Sequence, residues 1–159
     1  AILLEDPPPF WMTPETTSRN ADFKIGFITW INAIKRMTRG ELLSECQNQN
    51  SAWSEAEFEP WVNSKQRVSP KVTALIDPAD MTSIDLPNLF KKITCPALFI
   101  SAETNRGAAS SEKDIAQLKT YIPQLQLSHI TGAGHNIRRE QFANYLESTQ
   151  NFLKESKNP

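Results

Sequence analysis

A chain of 159 residues with formal net charge −1, 39% hydrophobic and 22% charged residues has the make-up of one ordinary water-soluble domain. Its 17 basic side chains are balanced by 18 acidic ones, so nothing in its charge points to a phosphate-rich partner such as nucleic acid. Apolar runs such as "PALFI" fall far short of the about 20 residues a membrane helix needs, and no basic segment followed by an apolar core marks a secretion signal, which makes the cytoplasm the expected location.

The first residues, "AILLEDPPPFW", start an apolar strand without a Met, as though cut on its upstream side. This predicts a processed product or a fragment. Residues 2 to 4 read as a short buried strand that must end near Asp6, because the three prolines that follow cannot continue a ladder. After a polar stretch with Thr16, Thr17, Ser18 and Asn20, apolar residues recur at Phe23, Phe27, Trp30, Ile31, Ile34 and Met37. That is the spacing of one helix face, with Asn20 or Ser18 as its cap and Gly40 as its end. Further helices are predicted over Glu41 to Cys46 and Ser54 to Gln66, the latter opened by a Ser54/Glu57 capping box. A short helix entered through Pro70 follows, from Ser69 through Ile76. Cys46 and Cys95 have no metal-ligand spacing and read as free, buried thiols.

From Asp85 onward the pattern changes. "LPNLFKKITCPALFISAETNRG" gives a short amphipathic turn, a continuous apolar strand from Ala97 to Ile100 and a polar loop. "SSEKDIAQLKTYIP" sets Ile115, Leu118 and Ile122 on a helix face that Ser111 can cap. "QLQLSHITGAG" is a second strand ending in glycines, and the last helix carries Phe142, Tyr145, Leu146, Thr149, Phe152 and Leu153 on one stripe. The order strand, helix, strand, helix places the chain in the α/β class, with a parallel sheet of about three strands covered by helices. Residues 11 to 85 form a helical insertion between a first strand in residues 1 to 10 and a βαβα part in residues 86 to 159.

Taken together, "KKITCPALFISAETNRG", "HITGAGHNIRREQF" and the terminal "FLKE" resemble the last two strands and helices of the α/β-hydrolase fold. "LLEDPPPFW" resembles the strand that precedes that fold's helical cap, which makes residues 11 to 85 the cap. The resemblance implies a partial hydrolase sheet, its three strands together at one edge. Gly-x-Ser-x-Gly, the strained turn that carries the nucleophile in this fold, does not occur in the chain. The family's order puts that turn and the oxyanion-hole loop upstream of Ala1. The strand at Ile2 to Leu4 is therefore expected to have an open edge, which would pair with the N-terminal half of the same protein or with a second copy.

The resemblance also assigns roles. His135, in "GAGH", is the expected general base, whereas His129, inside a strand, reads as structural. The usual position of the orienting acid falls on Asn105, which cannot stabilise an imidazolium by charge. Glu103 in the same loop is the first substitute, and Glu5 and Asp6 after the earlier strand are the others. Phe10, Trp11 and Trp30 are candidate lining of a substrate pocket, against the competing reading of core aromatics. Arg138 and Arg139 can bind an anion or serve as surface ion-pair residues. The implied function is the cap-and-base part of a hydrolase acting on a small molecule with an ester, a related acyl bond or a C–C bond. It implies no metal or cofactor and involves neither nucleic acid nor membrane. Alone, the chain is expected to be catalytically silent. The alternative is a non-catalytic remnant or binding protein of the same shape, which Asn105 favours.

Overall fold

Three short strands, Ile2–Glu5 (β1), Ala97–Ser101 (β2) and Leu125–His129 (β3), pair in parallel in the order β1-β2-β3 in the computed structural model, which describes residues 1–9, 15–75 and 84–156. Ile2 sits beside Ala97, and Ala97 beside Leu125. Every residue of β2 is buried, as a central strand with both faces covered requires. Successive side chains leave it on opposite faces. Ala97 and Phe99 enter one cluster with Leu125 and with Ile115, Leu118 and Ile122 from the helix Glu112–Tyr121 (α5) and its end. Leu98 and Ile100 enter the other with Ile130, Ala133, Ile137 and Phe152. Burying each such Leu, Ile or Phe contributes about 1.5–3 kcal/mol.

The chain divides into two compact units, Ala1–Met12 with Asp85–Pro159, and Thr13–Ile84. The helical unit holds α1 (Glu15–Ile34), α2 (Arg39–Gln49), α3 (Glu55–Arg67) and a 3-10 turn over Pro70–Leu75. Ile31, Ile34, Leu42 and Val62 form its centre, and Cys46, Trp53 and Phe58 a second cluster. The sheet unit adds α4 (Leu86–Phe90), α5, α6 (Ile137–Glu140) and α7 (Phe142–Ser156). Neither cysteine is in a disulfide; Cys46 is buried and Cys95 half-buried. No helix among the described residues is long and apolar enough to cross a membrane.

Several local expectations are corrected. Helix α1 begins at Glu15, so Ser18 and Asn20 lie inside it. Gly40 does not end a helix: it lies in the first turn of α2, whose capping box is made by Thr38 and Glu41. Ser54 precedes α3 but makes no side-chain cap bond, so the box expected there with Glu57 is absent. On α7 only part of the expected stripe faces inward. Phe152 is buried, whereas Phe142, Leu146 and Leu153 are exposed.

Candidate active site

Asp6 leaves the end of β1 with its N–H still donating to the Ile100 carbonyl at 2.9 Å. Its φ of +36° lies in the left-handed region, which Asp enters more readily than most side chains. This turn directs the carboxylate into the sheet unit, where it is fully buried. A buried charge is costly unless its oxygens find donors. Oδ1 accepts the Ser110 N–H at 3.0 Å, and Oδ2 accepts the Ala109 N–H at 2.7 Å and meets His135 Nδ1 at 2.9 Å. The Ser110 hydroxyl donates to the Pro7 carbonyl at 2.6 Å, tying the loop after β2 to the end of β1.

His135 belongs to the loop from β3 to α6. The loop is fixed by the Ile130 N–H donating to Ser101 at 2.8 Å and the Glu103 N–H donating to Ala133 at 3.0 Å. Two glycines let it pass. Gly132 has φ +80°, and a Cβ on Gly134 would lie 2.1 Å from the Arg106 carbonyl oxygen. The Gly134 N–H donates to Glu140 Oε2 at 2.8 Å, which orients the main chain beside the histidine.

The imidazole is half-exposed, with its Nδ1 against Asp6. An ionised carboxylate there holds the proton on Nδ1 and leaves the Nε2 lone pair as the basic site. The hydrogen bond to Asp6 raises the His135 pKa above the usual imidazole value, helped by the charges of Asp6, Glu5 and Glu140 and opposed by partial burial. The pair is an imidazole with a buried carboxylate against its Nδ1. Beside it, Glu5, His135, Asn136, Arg138 and Arg139 enclose a recess of about 220 Å³. No group of three or more His, Cys, Asp or Glu suited to a metal ion occurs among the described residues.

The carboxylate on His135 Nδ1 is thus that of Asp6, not of Glu103, the first substitute from sequence. Glu103 points its carboxylate toward Arg106, 3.8 Å away, while its carbonyl accepts the Arg106 and Ala108 N–H groups. Asn105 is exposed on the 3-10 turn Thr104–Arg106. Glu5 accepts the Arg138 N–H at 3.2 Å and lines the recess without touching Nδ1. His129 Nδ1 stands 3.1 Å from Ser101 Oγ, a contact between neighbouring strands. Trp30 belongs to the helical unit, where the Lys65 ammonium lies 5.0 Å from its ring centre. Phe10 and Trp11 lie outside the described residues.

No family model matches the chain, and no curated protein matches it. Solved structures do. E-2-(acetamidomethylene)succinate hydrolase aligns over 84% of the chain with TM-score 0.65 and 15% identity. MenH from S. aureus aligns over 98% with TM-score 0.63 and 18% identity. The chain has the α/β-hydrolase fold. A thermophilic esterase from Thermogutta terrifontis, solved with malate bound, shares this hydrolase fold over 97% of the chain at TM-score 0.52 and 21% identity. The chain spans 53%, 59% and 55% of the lengths of these three structures, in that order.

Within this α/β-hydrolase frame, the sequence singles out His135 and offers Asp6 among several acids, but not the groups that hold the Asp6 carboxylate. Ala109 and Ser110 act through backbone N–H groups, which carry no residue signature. Gly134 was legible only as part of "GAGH". The need for it lies in the Arg106 carbonyl, 28 positions earlier in the chain.

Proposed function

We propose that the chain is the base-and-acid part of a serine-type α/β-hydrolase, with His135 as general base and Asp6 as the acid that orients it. The observation that supports this reading is the 2.9 Å contact between His135 Nδ1 and a fully buried Asp6 that two N–H groups already hold. The nucleophile and the oxyanion hole belong to a segment preceding Ala1, which adds its strand at the edge of β1 not occupied by β2. His135 Nε2 takes the proton of the nucleophile hydroxyl as it attacks an ester or related acyl carbon, while Asp6 stabilises the imidazolium. The imidazolium then protonates the leaving group, and water repeats the cycle to free the enzyme. Of the three solved neighbours, one is a hydrolase by name and another an esterase. By itself the chain turns over no ester, because it lacks both covalent chemistry and oxyanion stabilisation. The rival reading, a non-catalytic remnant, drew its support from Asn105, and in the proposed arrangement that position is not asked to supply the charge.

The test is hydrolysis of p-nitrophenyl acetate by the longer polypeptide read through from upstream of Ala1. His135→Gln and Asp6→Asn should each lower kcat by about 10⁴-fold or more. Turnover that survives His135→Gln would remove the proposal.

A further inference from the structure

Asp6 and His135 are not equally restrained where they meet. Asp6 is fixed by its own N–H on the Ile100 carbonyl and by the two N–H groups on its carboxylate. His135 is carried by a loop with glycine at 132 and 134, the residue type with the greatest backbone freedom. We propose that Glu140 is a positioning residue for the base, its carboxylate holding the Gly134 N–H so that the His135 ring meets Asp6. This inference rests on the reading of His135 as the base and adds a residue that the base depends on.

Gly134 is buried, so its N–H needs an acceptor inside the protein. Glu140 Oε2 supplies one at 2.8 Å, reaching back six positions along the chain. An N–H bond to an ionised carboxylate is roughly twice as strong as one between neutral groups. From another direction the Arg106 carbonyl leaves no room for a Cβ, so Gly134 is held between a side chain of α6 and the 3-10 turn Thr104–Arg106. Glu140 itself has a firm seat. Its N–H donates to the Asn136 carbonyl at 3.0 Å, and Ile137 in the same short helix is fully buried with Leu98, Ile100 and Phe152. Because His135 directly follows Gly134, any movement of the Gly134 main chain moves the imidazole relative to Asp6. The charged groups facing the ring are Asp6 and Glu5 at the end of β1 and Glu140 on α6, with Arg138 and Arg139 among the residues of the recess beside it. The hydrogen bond to Asp6 does most to raise the His135 pKa, and the Glu140 charge least among the groups that raise it. A substitution that removes only the charge of Glu140 therefore has a small effect, and one that frees Gly134 has a larger one.

Two substitutions separate the bond from the charge. Glu140→Gln keeps an acceptor oxygen at the same reach and removes the charge, whereas Glu140→Asp keeps the charge one methylene short of the Gly134 N–H. In this chain, an NMR titration of the His135 ring should give a lower midpoint in Glu140→Asp than in Glu140→Gln, with His129 as the reference signal. In the longer polypeptide, Glu140→Asp should lower kcat toward p-nitrophenyl acetate by about 10- to 100-fold with KM unchanged, and Glu140→Gln by about 3-fold or less. A midpoint in Glu140→Gln as low as that in Glu140→Asp, or wild-type midpoint or kcat in Glu140→Asp, overturns the proposal. Asp6→Asn, titrated in parallel, separates this failure from that of the underlying reading. If Asp6→Asn lowers the His135 midpoint while Glu140→Asp leaves it in place, only the role of Glu140 falls. If Asp6→Asn leaves the midpoint unmoved, the base assignment falls and takes the role of Glu140 with it.

Discussion

The two units of this chain use charge in opposite ways. In the helical unit the ion pair between Arg39 and Glu59 lies at the surface, both partners exposed, and Glu41 caps α2 from its exposed first turn. In the sheet unit a carboxylate is driven to zero exposure and surrounded by two N–H groups and an imidazole. Surface pairs are screened by water and contribute little, whereas a buried charge is tolerated only when its neighbours are arranged around it in advance. The difference separates an ion pair and a helix cap left at the surface from a buried carboxylate arranged against a single imidazole.

Substitutions can break that contrast in order of expected effect. Gly134→Ala should be the most damaging, by about 3 kcal/mol in urea unfolding, because its methyl meets a backbone oxygen rather than a side chain that can move. Asp6→Asn should cost about 2 kcal/mol: Asn accepts the left-handed turn, but its amide loses charge and sets a donor where Asp6 accepts. Thr38→Ala, which removes the α2 capping box, should cost about 1 kcal/mol by the same assay. Arg39→Ala should leave the unfolding midpoint unchanged within error, since both partners of its pair are exposed. A large loss from Arg39→Ala, or none from Asp6→Asn, would erase the distinction between the units.

The contrast also carries a pH signature. Because His135 has a raised pKa in the folded chain, its contribution is fully present below the unfolded imidazole value of about 6.5. It is lost as pH rises through the folded value. The stability gap between wild type and Asp6→Asn should therefore be wider near pH 6 than near pH 9, about which chemical denaturation at the two values can decide.

What the sequence made legible follows from the range of the interactions involved. β2 announced itself because a strand covered on both faces reads as an unbroken apolar run, here "ALFI". The α5 cap was visible for a similar reason, as Ser111 and Asp114 make a box within one turn. The Asp6–His135 pair spans 129 positions and depends on β1 docking beside β2, so local pattern could only offer Asp6 among several acids. Glu103 looked better because it lies in the loop after β2. There the backbone turns its carboxylate to Arg106, while its carbonyl caps the 3-10 turn. The α7 stripe failed for a geometric reason. At 100° per residue, Phe142, Leu146 and Leu153 fall about 100° round the helix from Phe152, a second line rather than part of the buried one.

The central claim is that Asp6 is the charge that tunes and orients His135, and an NMR titration of the His135 ring proton in wild type and Asp6→Asn tests it most directly. His129, bonded to Ser101 and remote in sequence from Asp6, supplies a reference signal in the same spectra. The wild-type His135 midpoint should lie above about 6.5 and drop in the Asn variant. Identical midpoints in the two proteins would contradict the account.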